Sequence, residues 1–117
     1  MSAGIWNTVL DQGSVWSLQL TCEDPNGTAI DLSGLTAEMQ IRSLPEDSTV
    51  ALTLSTANGD IVIQGPQGII TITATSTETE PISPGPYYYD LELTDPVTNL
   101  VTRVVQGQIV VSAEVTR

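Results

Sequence analysis

Apolar and polar positions alternate with a period of two along most of this chain, and no stretch keeps a helical period for three turns. From Val15 to Cys22, Trp16, Leu18, Leu20 and Cys22 fall on one side and Ser17, Gln19 and Thr21 on the other, the pattern of a half-buried strand. Leu35 to Arg42 repeats it, with Leu35, Ala37, Met39 and Ile41 against Thr36, Glu38, Gln40 and Arg42. Thr49 to Ser55, Ile61 to Ile63 and Ile69 to Ala74 follow as short strands. Asn58-Gly59 is a strong hairpin signal and Gly65-Pro66-Gln67-Gly68 a second reversal, so these strands are expected to form a meander. Thr75 to Glu80 suits a single helical turn capped by Ser76 or Thr77. Alternation resumes from Tyr87 to Leu93, turns at Asp95-Pro96-Val97-Thr98-Asn99 and returns along Leu100 to Val105 and on to Val115, with Gly107 marking a bulge or bend.

Adding Ile5 to Leu10 brings the count to about eight strands, spaced at the roughly 8–12 residues expected of a sandwich or small barrel. The prediction is all-β: an immunoglobulin-like antiparallel β-sandwich of about seven to nine short strands. The 117 residues are enough for one core and too few for two, so residues 1–117 are read as one domain. Residues 1–10 carry Ile5, Trp6, Val9 and Leu10 near a free end. They form either a strand on the chain's own sheet or a docking arm.

Within that frame, three of the five aromatic residues stand together in Ser83-Pro84-Gly85-Pro86-Tyr87-Tyr88-Tyr89-Asp90-Leu91-Glu92-Leu93. Immunoglobulin-like sandwiches use a Tyr near the start of a late strand whose hydroxyl bonds backbone a few residues upstream. Tyr87, preceded by Gly85, is the expected corner residue, with Tyr89 in the core and Tyr88 on the opposite, outward face.

Charge changes the functional picture more than the fold. Fourteen Asp and Glu stand against Arg42, Arg103 and Arg117, with no Lys or His, for a net charge of -11. Such a chain lacks the clustered cations that bind nucleic acid or anionic membranes. No segment has the ~20 apolar residues of a membrane span, and the N-terminus reads as no export signal, which predicts synthesis and retention in a cytoplasm. Cys22 is the sole cysteine and lies in an apolar register, as a small buried hydrophobe would.

Catalytic chemistry is poorly supplied. Without His, the Ser-His-Asp and Cys-His arrangements cannot be built, and no phosphate-binding glycine motif occurs. Asp90 and Glu92 share a strand face about 7 Å apart, a spacing far commoner on solvated strands than in glycosidase sites. Glu23-Asp24-Pro25-Asn26-Gly27, with Asp31, offers oxygen ligands for calcium, but the same residues are turn formers and the spacing is not that of an EF-hand loop. The expectation is a protein that is not an enzyme, with no catalytic residue, cofactor or metal.

The succession "IDLSGLTAEMQIR", "LSTANGDIVI", "GIITITATSTET", "ISPGPYYYDLELTDP" and "VTRVVQGQIVVSAEVTR" resembles small structural proteins of tailed bacteriophages and the immunoglobulin-like N-terminal modules of baseplate and tail-fibre components. The likeness runs from Ile30 onward. It implies that Asp31, Leu32 and Gly34 set one corner, that Gly85, Tyr87 and Asp90 set a later one, and that Arg42 and Arg103 recur on strands, where pairing with Asp90 or Glu92 is expected. It further implies a virion protein made in the host bacterial cytoplasm: an adaptor or connector in tail, baseplate or fibre attachment, bound to other virion proteins and repeated as a homo-oligomer or symmetric array. A capsid decoration protein on the head lattice is one alternative. A carbohydrate-binding or adhesion module using Trp6, Trp16 or Tyr88 is the other. The expected interaction residues are Ile5, Trp6, Val9 and Tyr88.

Overall fold

A computed structural model describes residues 4–115, whose regular secondary structure is almost wholly strand. In chain order these are β1 (Gly4–Ile5), β2 (Thr8–Asp11), β3 (Trp16–Thr21), β4 (Thr36–Arg42), β5 (Leu52–Ser55), β6 (Ile61–Gln64), β7 (Ile69–Ala74), β8 (Gly85–Thr94) and β9 (Val101–Ser112), with a 3-10 turn at Gly65–Gln67 before β7 and one α-helical turn, α1 (Ser76–Thr79), before β8. A six-stranded sheet runs β1-β9-β8-β4-β5, with β2 also on β9, and faces a three-stranded sheet, β3-β7-β6. All pairings between named strands are antiparallel except those of β1 and β2, which lie parallel to β9. The protein is an immunoglobulin-like β-sandwich. The larger sheet carries one strand, β5, beyond β4.

The core forms where the inward sides of the alternating strands meet. Met39 and Ile41 from β4, Leu54 from β5, Ile70 and Ile72 from β7, Leu91 from β8 and Ile109 from β9 are fully buried. Trp16 joins the same cluster, so the indole is sealed from solvent. One end of the sandwich is closed by polar contacts. Thr79 Oγ1 of α1 donates to the Ser14 carbonyl at 2.8 Å, and Gln12 Nε2 donates to the Ile82 carbonyl at 2.9 Å.

Several local expectations change. The strands around Asn58-Gly59 are not a hairpin: β5 lies in the larger sheet and β6 in the smaller, so the loop crosses between sheets. Asn58 holds that crossing, its Oδ1 accepting from the Ser55 and Asp60 amides while its Nδ2 donates to the Thr53 carbonyl. Alternation fixes which side of a strand is buried but not which strand lies beside it. The helical turn is capped by Thr75, not Ser76 or Thr77, in a reciprocal capping box. Thr75 Oγ1 accepts from the Glu78 amide at 3.2 Å, and Glu78 Oε1 accepts from the Thr75 amide at 3.0 Å. Ile5 to Leu10 divides into two short strands, and only Leu52–Ser55 of the Thr49 to Ser55 run is paired.

Candidate functional site

On β8, burial of Tyr89, Leu91 and Leu93 turns Pro86, Tyr88, Asp90 and Glu92 outward. Register carries the same division to the neighbours. Tyr88 lies between Arg42 on β4 and Gln108 on β9, and Asp90 lies between Gln40 and Gln106. Glu92 lies between Glu38 and Arg103. Ile5 is beside Gln106, and Val9 beside Val110, which in turn faces Pro86. The outer face of the larger sheet thus holds a polar centre with an apolar border. A groove of about 620 Å³ opens on it, lined among others by Ile5, Gln40, Arg42, Tyr88, Asp90, Arg103 and Gln106.

Electrostatics explain how the centre is held. Glu38 directly opposite Glu92 is an unfavourable like-charge pair. Gln40 Nε2 donates to Glu38 Oε2 at 2.8 Å, and Arg103 lies opposite Glu92 in register. Arg103 Nε sits 3.2 Å from Asp90 Oδ2 and its Nη1 donates to Gln106 Oε1 at 2.9 Å. Both partners of that ion pair are substantially exposed, so the contact orients the guanidinium and contributes at most about 1 kcal/mol. Arg42 donates to Gln40 Oε1 at 2.7 Å and to the Asp47 carbonyl, with no carboxylate in salt-bridge contact among the described residues. The Asp47 carboxyl is held below its ordinary value by the Thr49 amide and Ser43 hydroxyl, with a smaller contribution from Arg42.

The residues singled out from sequence fall in two groups. Ile5 is 76% exposed, Val9 57%, Trp6 39% and Tyr88 36%, and Ile5, Val9 and Tyr88 share the outer face. Trp6 works through its backbone as well: its amide donates to the Gln106 carbonyl at 3.0 Å and its carbonyl accepts from Tyr89 Oη at 2.6 Å. Burial pushes the Tyr89 hydroxyl up to about 12, so it stays a neutral donor. Tyr87 is half-buried against the core, and its Oη donates to the Ser83 carbonyl at 2.6 Å, four residues upstream. Gly85 has φ 141°, a backbone region that favours glycine and that introduces the strand. Asp90 lies mid-strand and turns to Arg103 instead of the corner. Leu32 is buried and Asp31 Oδ1 accepts from the Ser33 amide at 2.9 Å, so the first corner is built locally.

Gly107 is not the bulge. The register shift falls between Leu91 and Glu92, opposite Val105 and Arg103, which leaves Val104 as the extra residue. A side chain at Gly107 would collide with the Trp6 carbonyl, so glycine is required where the N-terminal backbone crosses β9. In the 23–31 loop Asp24 Oδ1 accepts from the Asn26 and Thr28 amides at 2.9 Å each, as in an ordinary turn. Among the described residues no group of three or more His, Cys, Asp or Glu is placed to hold a metal ion. No described helix is long and apolar enough to cross a membrane.

Fold and face together define an immunoglobulin-like module with a polar groove on its larger sheet. No family model matches the chain, and no curated protein does. Among solved structures it is similar to the natural killer cell receptor NKp44, a triggering partner in natural cytotoxicity, at 16% identity and a TM-score of 0.46, over 96% of this chain and 100% of that one. It is also similar to a family 123 glycoside hydrolase from Clostridium perfringens, at 15% identity and a TM-score of 0.40, over 97% of this chain but only 24% of the hydrolase. At these identities the likeness is one of fold alone.

Proposed function

We propose that this chain is a non-enzymatic structural protein of a tailed-bacteriophage virion, an adaptor or connector that binds its neighbours through the outer face of the larger sheet. The observation that carries the reading is the grouping of exposed Ile5, Val9, Val110 and Tyr88 around a groove that also holds Arg42 and Arg103. An apolar border with an aromatic anchor and arginines is the composition of a protein-binding surface. The resemblance of the strand motifs supplies the virion setting, and symmetric repetition there would let a modest surface act many times over. Mass spectrometry of separated heads and tails from purified particles tests it. A small copy number in the tail fraction is expected. Hundreds of copies in heads would replace the adaptor with a capsid decoration protein, and absence from both fractions would end the virion reading.

A second reading rests on Tyr88. An exposed aromatic ring among amides and carboxylates in a groove is also how sugars are recognised, by stacking and hydrogen bonds. Trp16 is buried and can take no part. Binding on a glycan array that disappears in Tyr88→Ala would favour this reading, and a blank array would remove it.

A further inference from the structure

Asparagine precedes glycine twice in this chain, at Asn26-Gly27 and at Asn58-Gly59, each time in an exposed turn. Both glycines hold positive φ, 83° and 87°, a conformation that keeps them glycine. With no Cβ in the way, the peptide nitrogen of a glycine can close on the side-chain carbonyl carbon of the asparagine before it, which makes the pair chemically labile. Exposure does not separate the two sites. Hydrogen bonding does. The Asn58 carboxamide is held at both ends: Oδ1 accepts from the Ser55 and Asp60 amides at 3.1 and 3.0 Å, and Nδ2 donates to the Thr53 carbonyl at 3.2 Å. The Asn26 carboxamide makes no hydrogen bond among the described residues. Its turn is held through Asp24, whose Oδ1 accepts from the Asn26 and Thr28 amides and whose carbonyl accepts from the Gly27 amide, each at 2.9 Å.

We infer that Asn26 is a site of spontaneous deamidation, the first of the two Asn-Gly pairs to convert, and that the fold protects Asn58. The Gly27 nitrogen loses its proton to solvent base and bonds to Asn26 Cγ. The Cγ–Nδ2 bond then breaks, and ammonia leaves with a proton taken from water. Water opens the resulting succinimide at either carbonyl, giving aspartate or an isoaspartyl link; one water is consumed, one ammonia is released, and nothing is oxidised or reduced. At Asn26 a single hydrogen bond, that of the Gly27 amide, must open first. At Asn58 three carboxamide bonds must open, together with the bond of 3.4 Å from the Gly59 amide to the Thr56 carbonyl. Each net hydrogen bond slows the reaction roughly fivefold, so Asn26 leads by at least about tenfold.

The product differs from the parent in charge and in backbone. A new carboxylate falls close to Asp24 and to Glu23, whose side chain lies beside Gly27, so the acidic loop gains a like charge. An isoaspartyl link also adds a backbone carbon between the two amides that Asp24 Oδ1 takes together, and the turn loses at least one of them. No residue from 23 to 29 belongs to the core, so the change stays in the loop. This site is separate from the outer-face groove and stands or falls independently of the virion reading.

The test is incubation of the full chain in mildly alkaline buffer, folded and in urea, followed by trypsin digestion and fragment mass spectrometry. Trypsin cuts after Arg42 and Arg103, which puts Asn26 and Asn58 on separate fragments, 1–42 and 43–103. In the folded chain, conversion at Asn26 is expected to run at least about tenfold faster than at Asn58, and in urea, where the hydrogen bonds of both turns are gone, the two rates should come together. Hydrogen exchange of the converted protein should show lost protection at the Asn26 or Thr28 amide with the core strands unchanged. Folded-state conversion of Asn58 as fast as that of Asn26 would overturn the proposal. So would an Asn26 that converts in urea but stays intact in the folded chain, or the same tenfold gap in both states, which would trace the difference to local sequence and not to the fold.

Discussion

Replacing Gly107 with alanine separates two explanations of that glycine by the sign of the effect. Gly107 is not among the residues with positive φ, so its backbone alone would accept an L side chain. On conformational entropy alone, Gly107→Ala would then stabilise the fold by about 0.4–1 kcal/mol. The new Cβ, however, would overlap the Trp6 carbonyl and crowd Asn7 Oδ1. Three hydrogen bonds meet at this crossing: Tyr89 Oη to the Trp6 carbonyl, the Trp6 amide to the Gln106 carbonyl, and the Gln108 amide to Asn7 Oδ1. At roughly 1 kcal/mol each, and more where the buried Tyr89 hydroxyl loses its partner, displacement of the N-terminal strands costs about 2–4 kcal/mol. Urea unfolding followed by Trp fluorescence should show that loss, and hydrogen exchange should show it concentrated in residues 4–11. Tyr89→Phe, which removes one of the three bonds and leaves the backbone in place, should cost about 1 kcal/mol. A Gly107→Ala protein as stable as the parent, with the amides of β2 still protected, would refute the close-approach argument.

Tyr87→Phe removes the hydroxyl that bonds the Ser83 carbonyl, and a loss of about 1 kcal/mol in urea is expected; no change would mean that the corner is held by packing alone. Thr75→Ala removes the cap oxygen of α1 and should cost about 1 kcal/mol, whereas Thr77→Ala should be neutral, and the reverse ranking would contradict the assigned cap. Asp60 is raised to about 6 by burial first and then by its contact with Glu78, so the folded chain keeps a proton that the unfolded chain releases near 3.8. That contribution therefore falls away as pH rises from about 4 to 6, and Asp60→Asn should flatten this part of the stability profile and raise the melting temperature at neutral pH; an unchanged profile between pH 4 and 7 would reject the coupling. Tyr88→Ala should leave stability within about 0.5 kcal/mol of the parent while abolishing capture of whatever binds the outer face, and a large loss of stability would show that Tyr88 is structural.

What the sequence disclosed was decided by distance along the chain. The inward and outward sides of β8 follow from local alternation, and so does the placement of Trp16 in the core. The Tyr87 corner spans four residues and is visible because its parts lie together. Gly107, by contrast, owes its identity to Trp6, about a hundred positions earlier, and no local pattern points there. The same holds for the groove. Arg42, Tyr88 and Gln108 become neighbours only through the registers of β4, β8 and β9. The hairpin expected at Asn58-Gly59 shows the limit most plainly, since a turn sequence states that the chain bends but not which sheet receives it.

The parallel seating of β1 and β2 on β9 also orders events in time. Residues 4–11 must find their partner in a strand made about a hundred residues later, so all of β3 to β8 is synthesised while they have nothing to pair with. Among the strands between, β4 with β5 and β6 with β7 pair near in sequence, whereas β3 waits for β7 and β4 for β8, each roughly fifty residues on. Closing β1 and β2 onto β9 is thus a long-range step of the kind that slows folding, and it leaves that edge of β9 open to water until it is done. A nascent chain stalled before Val105 would leave Leu10, fully buried in the finished fold, with no edge to carry it into the core.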